Sequence, residues 1–157
     1  MDRATISRAI LIGGLLAGTI DIGSASVIYM VSPVVILHSI ASGLLGHAAS
    51  FAGGAPTAVL GLLLQWTMSL FIAAIYALAA RLLPYLARQW IGGGLVYGVA
   101  IFFVMNYVVV PLSAAMTSPH PPHFTPARFA ENLLAMLLFG LVVAFFARRT
   151  QGDQAGP

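Results

Sequence analysis

Four long apolar runs, at 9–30, 57–83, 90–112 and 128–147, dominate the chain, and none alternates apolar with polar residues. A helix rises about 1.5 Å per residue, so about 20 apolar residues cross a hydrocarbon core. Lipid offers backbone groups no hydrogen bonds, which leaves helices or a closed barrel as spanning structures. The missing period of two excludes the barrel. The pattern predicts an all-α polytopic membrane protein, a bundle of four transmembrane helices, with residues 1–149 as a single membrane domain and 150–157 as a polar tail.

The connections refine this picture. Residues 33–50 are apolar but short and interrupted by His38, Gly43, Gly46 and His47, so they predict a re-entrant or interfacial helix between the first two spans. Gly53, Gly54 and Pro56 turn the chain into the second span. Only residues 81–89, with Pro84 as breaker, separate the second span from the third, which predicts an antiparallel hairpin. The segment 113–126 holds Pro119, Pro121, Pro122 and Pro126 and reads as a locally polyproline-like loop.

Composition excludes a water-soluble globule. The 157 residues are 60% hydrophobic and 7% charged, with a mean hydropathy of +0.97, whereas soluble domains carry about 25% charged residues. There is no cysteine, hence no disulfide framework, thiolate metal site or cysteine nucleophile. The net charge of +3 comes from arginines at the edges of the apolar runs, a distribution that suits membrane orientation and not a nucleic-acid-binding face. Under the four-span reading Arg3, Arg8, Arg81, Arg88, Arg148 and Arg149 share one side and Arg128 lies on the other. Retention of positive loops in the cytoplasm then places both termini inside. A cleavable leader starting at Arg3 and Arg8 is the alternative, opposed by Asp21 and by the renewed apolar run 27–37.

Glycines mark close helix contacts. Gly14 and Gly18 form one small-xxx-small pair and Gly94 and Gly98 another, and such pairs let backbones approach where no hydrophobic effect drives association. Gly13 to Gly18 and Gly93 to Gly98 open the first and third spans at matching depth, a faint sign of parallel duplication, although glycine is common in membrane helices generally.

Asp21 lies on the stripe of Gly14 and Gly18 and therefore faces protein, roughly 13 Å below the outer end of its helix. A carboxylate there costs several kcal/mol if ionised and unpaired, so it carries a proton or has a partner. Gln65, Asn106, Glu131 and Asn132 also fall in the outer half of the bilayer, and His38 sits in the outer connection above them. Together with Asp21 these residues are the candidate ligand- or proton-binding set, an outward-opening polar cup for a small cation, proton or polar solute. Each has a bland reading as well. Glu131 pairs with Arg128 one turn away, and Asn106 and Gln65 glue helices at about 0.6 kcal/mol each.

Metal and catalytic chemistry receive no support. In a polyproline helix His120 and His123 stand about 9 Å apart, too far to share one ion, and His38 and His47 point to opposite faces of one helix. No nucleophile elbow, zinc-protease motif, phosphate loop or dinucleotide fingerprint is present, so neither a cofactor nor an enzymatic activity is expected. Tyr29, Tyr85, Trp90 and Tyr107 read as interfacial anchors. The expected partner is the bilayer, with a homo-oligomer or another membrane protein as a further one. The main alternative to the cup is an accessory subunit that assembles through its glycine faces.

From Leu60 to Arg149 the chain resembles the YagU-like family of bacterial inner-membrane proteins. The resemblance is carried by the span ending Ile75-Tyr76-Ala77-Leu78-Ala79-Ala80-Arg81-Leu82-Leu83-Pro84, by Gly93-Gly94-Leu95, by a third span ending at Pro111, and by Glu131 and Arg148-Arg149. It implies a helical inner-membrane protein and specifies no substrate. The segment between the first two spans is much shorter here than in that family.

Overall fold

The computed structural model describes residues 3–115 and 125–152. They form α1 (Arg3–Tyr29), α2 (Pro33–Leu45), α3 (His47–Ala52), α4 (Gly54–Leu82), α5 (Pro84–Arg88), α6 (Trp90–Val104), a π-helical turn (Met105–Val109), α7 (Val110–Leu112) and α8 (Pro126–Gly152). No strand occurs among the described residues. Four segments are long and apolar enough to span a membrane: Thr5–Tyr29, Gly54–Leu82, Trp90–Leu112 and Pro126–Arg149. The chain is thus an all-α four-helix bundle of multi-pass membrane type.

The helix ends follow local chemistry. At the end of α1 the Met30 N–H donates to the Val27 carbonyl and the Val31 N–H to the Ser26 carbonyl, the two reversed bonds of a Schellman cap. Met30 occupies the left-handed position at φ 54°, where glycine is usual. Pro33 then starts α2, since a proline at the first helical position sacrifices no intrahelical bond. Gly46, at φ 78°, separates α2 from α3, and Gly54, at φ 60°, begins α4.

Pro111 explains the irregular end of the third span. It has no N–H for the Tyr107 carbonyl and its ring crowds that turn. The ladder widens there, and the Val110 N–H donates to the Met105 carbonyl five residues back.

Around the bundle, α6 packs on α8, α8 on α1, and α1 on α4. The short connection 81–89 predicts an antiparallel hairpin of α4 and α6; α5 lies within that connection, and α6 packs more closely on α8 than on α4, which it meets at Tyr76 and Tyr97, whose rings lie 5.0 Å apart. The reason is the glycines. Gly94, Gly98 and Gly140 let α6 and α8 touch backbone to backbone, a tighter seam than two tyrosines allow. The first half repeats the scheme, with Gly14 and Gly18 of α1 against Ser69 and Leu70 of α4.

The core is built of small and aromatic residues. Ala17, Ala73, Ala77, Ala80, Ala144 and Ala147 pack with Ile72, Tyr76, Phe139 and Val143. It closes the arginine-rich end of the bundle, where Arg148 stacks over Trp90 and Arg149 over Phe145. Leu63, Phe71, Leu78, Leu82 and Val96 remain exposed, as a lipid-facing surface requires.

The segment α2–α3 covers part of the opposite end. The Leu37 carbonyl rests against Gly61 of α4, and the Gly43 carbonyl accepts from the Ala114 N–H at 2.9 Å. Helix α8 continues through Gly152, so the first residues of the polar tail are helical.

Candidate functional site

Asp21 is half-buried on the face of α1 that meets α4. Gly14 and Gly18 bring the two helices close. A Cβ at Gly18 would collide with the Ser69 hydroxyl, and one at Gly14 would lie 3.0 Å from the Leu70 Cα. This proximity lets Gln65 reach across and donate its Nε2–H to Asp21 Oδ2 at 2.8 Å. A longer contact of 3.4 Å joins the same amide to the Gly18 carbonyl. Beside this pair, on the exposed flank of the seam, Trp66 Nε1 donates to Thr19 Oγ1 at 3.2 Å, and that hydroxyl donates to the Leu15 carbonyl at 2.7 Å.

The α1–α4 seam is therefore a polar ladder on a glycine base. Its acidic member, Asp21, is bonded to a neutral amide, and among the described residues no cation pairs with it. Asp21 sits about 12 Å from the Tyr29 end of its span.

The other candidate residues occupy separate places. His38 is buried between α2, α3 and α4, with Nδ1 2.9 Å from the Ser50 carbonyl. A carbonyl only accepts, so Nδ1 carries the hydrogen. Thr57 Oγ1 reinforces the arrangement by donating to the same carbonyl at 2.7 Å, and the Ser50 hydroxyl donates to the His38 carbonyl. His38 thus ties α2 and α3 to the start of α4. Phe51 lies between the two histidines of this region, 5.4 Å from His38 and 4.5 Å from His47.

Asn106 lies within the π-helical turn and turns back on its own segment, donating from Nδ2 to the Phe102 carbonyl at 2.9 Å. Glu131 pairs with Arg128 at 3.3 Å and is exposed. Asn132 donates to the Arg128 carbonyl at 2.8 Å and accepts from the Tyr29 hydroxyl at 3.3 Å. The six residues expected to line one cup are distributed over four places: Asp21 with Gln65, Glu131 with Asn132, and His38 and Asn106 each apart. Depth along a helix was readable from the sequence, but the face each side chain takes was not.

Ser69, Trp66, Thr19, Ser50, Thr57 and Gly140 belong to these arrangements and escaped the sequence reading. For Ser69 a signal existed. It lies four residues after Gln65 and so shares its helix face.

Among the described residues no group of three or more potential ligands could hold a metal ion. His120 and His123 lie outside the described residues. Comparisons with protein-family models, curated proteins and solved structures gave no match.

Proposed function

We propose that this protein is a small, non-enzymatic inner-membrane protein that binds a proton or small cation at Asp21, reached from the Arg128 end of the bundle. One observation carries the reading: the partner of a carboxyl group set deep in a span is a neutral amide. A carboxylate in the hydrocarbon region needs a compensating positive charge, and among the described residues no arginine supplies it. Gln65 orients the group without neutralising it. The remaining charge is left to a proton or an ion.

The alanine and aromatic packing around Tyr76, Phe139 and Ala144 supports one-sided binding in preference to an open pore. Following the arginine asymmetry, we assign both termini and the connection 81–89 to the cytoplasm and α2–α3 to the outside. The resemblance to the YagU-like family agrees with a bacterial inner membrane. Assembly as an accessory subunit is the second reading. Both glycine pairs already contact α4 and α8 of the same chain, so a partner would use the exposed apolar faces instead.

The test is proton counting. Addition of a monovalent cation to lightly buffered, purified protein should release protons from the wild type and none from Asp21→Asn, which keeps the shape and a hydrogen bond to Gln65. Equal release from both proteins would end the proposal.

A further inference from the structure

A second feature lies on another face of α1, away from Asp21. An open groove of about 450 Å³ runs between α1 and α8, lined by Gly23, Val27, Leu134, Ala135 and Leu138, with Glu131 at one end. From Glu131 to Leu138 it descends about 10 Å along the span. Gly23 leaves it open, since a Cβ there would meet nothing within 4 Å.

Of the charged residues only Glu131 lines the groove, and its ion-pair partner Arg128 stands one turn before it on α8. Glu131 and Arg128 pair at 3.3 Å with side-chain exposures of 47% and 39%, so each retains hydrogen-bonding capacity toward a ligand. Arg128 also covers the Tyr29 ring at 5.2 Å, and Tyr29 is itself held by Asn132. An open apolar groove parallel to the span, with an anion at one end and that anion's cationic partner one turn beyond it on the same helix, complements a molecule with one hydrocarbon chain below a zwitterionic head.

We propose that this groove is a binding site for a phospholipid with a phosphoethanolamine headgroup. One acyl chain lies along Gly23, Val27, Leu134 and Leu138, the phosphate meets the Arg128 guanidinium, and the primary ammonium donates to the Glu131 carboxylate. Charge-assisted hydrogen bonds of this kind require N–H donors. A quaternary choline has none, and the aromatic face that would attract it is already covered by Arg128. An anionic glycerol headgroup would satisfy Arg128 but leave Glu131 facing added negative charge.

Native mass spectrometry of the full chain in mild detergent, with phosphatidylethanolamine, phosphatidylcholine or phosphatidylglycerol of identical acyl chains, tests this. The wild type should retain one phosphatidylethanolamine about tenfold more strongly than either competitor, the ratio that one charge-assisted hydrogen bond supplies. Glu131→Gln should abolish the discrimination against phosphatidylcholine, and Arg128→Gln should weaken both lipids. Gly23→Leu should fill the groove and lower retention of all three, with an unchanged melting temperature showing that the fold is intact. Equal retention of the three lipids by the wild type would overturn the proposal, as would retention unaffected by Gly23→Leu. A dimer that Gly23→Leu dissociates, in place of bound lipid, would assign the groove to a second copy and overturn it equally.

Discussion

Alanine at Gly140 should destabilise the protein, whereas alanine at Gly92 should not. In α8 the Cβ of Gly140→Ala would lie 2.8 Å from the Gly98 nitrogen and 2.9 Å from its Cα, and against the Gly94 carbonyl oxygen. Ordinary carbon contacts are about 3.5–4.0 Å, so α6 must retreat by roughly 0.5–1 Å. Overpacking of this kind costs about 1–3 kcal/mol. The Cβ of Gly92→Ala meets nothing within 4 Å. Both substitutions gain the same helical propensity, up to about 1 kcal/mol, so their difference isolates the packing cost. The two variants should therefore differ by about 1–3 kcal/mol, or roughly 5- to 150-fold in the unfolding equilibrium. Denaturing-detergent titrations followed by tryptophan fluorescence suit the measurement, because Trp90 of α6 packs on Phe145 of α8 at 5.6 Å. Equal stability of the two variants would refute the backbone-to-backbone seam between α6 and α8.

Other consequences are equally direct. Met30→Gly should stabilise the fold by about 1 kcal/mol, because it relieves a left-handed backbone while removing a side chain that is 85% exposed; Met30→Val should do the opposite in the same titration. Tyr97→Phe removes the 2.7 Å bond to the Ile72 carbonyl and should cost about 0.6 kcal/mol, with no loss of secondary structure by circular dichroism. Because the chain has no cysteine, single cysteines at Ala48 and Gln89 report topology without background. An impermeant maleimide applied to intact cells should label Ala48→Cys and leave Gln89→Cys untouched; the reverse pattern would invert the assigned orientation.

Spans are legible in sequence because lipid imposes one requirement on every residue of a run, that backbone bonds be satisfied locally. Apolar length alone therefore located all four helices to within a few residues. The segment 33–50 read as one helix with His38 and His47 on opposite faces, whereas Gly46, at φ 78°, splits it into α2 and α3 and both histidines lie against Phe51. Which helices touch was harder to read, because lateral packing depends on pairs of small residues brought together from distant segments. Gly94 and Gly98 were visible as a motif, yet their counterpart Gly140 stood alone in its run and carried no periodicity to mark it. The same limit governs the site. Gln65 was placed correctly at the level of Asp21, but Asn106, in the π-helical turn that precedes Pro111, turns to the Phe102 carbonyl of its own segment.

The central claim is that the charge of Asp21 is met by an exchangeable proton or cation, and infrared difference spectroscopy of the reconstituted protein tests it most directly. Changing pH or adding cation should convert a carboxylic-acid carbonyl band into carboxylate bands in the wild type. That conversion should be absent from Asp21→Asn and shifted in frequency in Gln65→Leu, which removes the donor at 2.8 Å. A difference spectrum identical in wild type and Asp21→Asn would contradict the account.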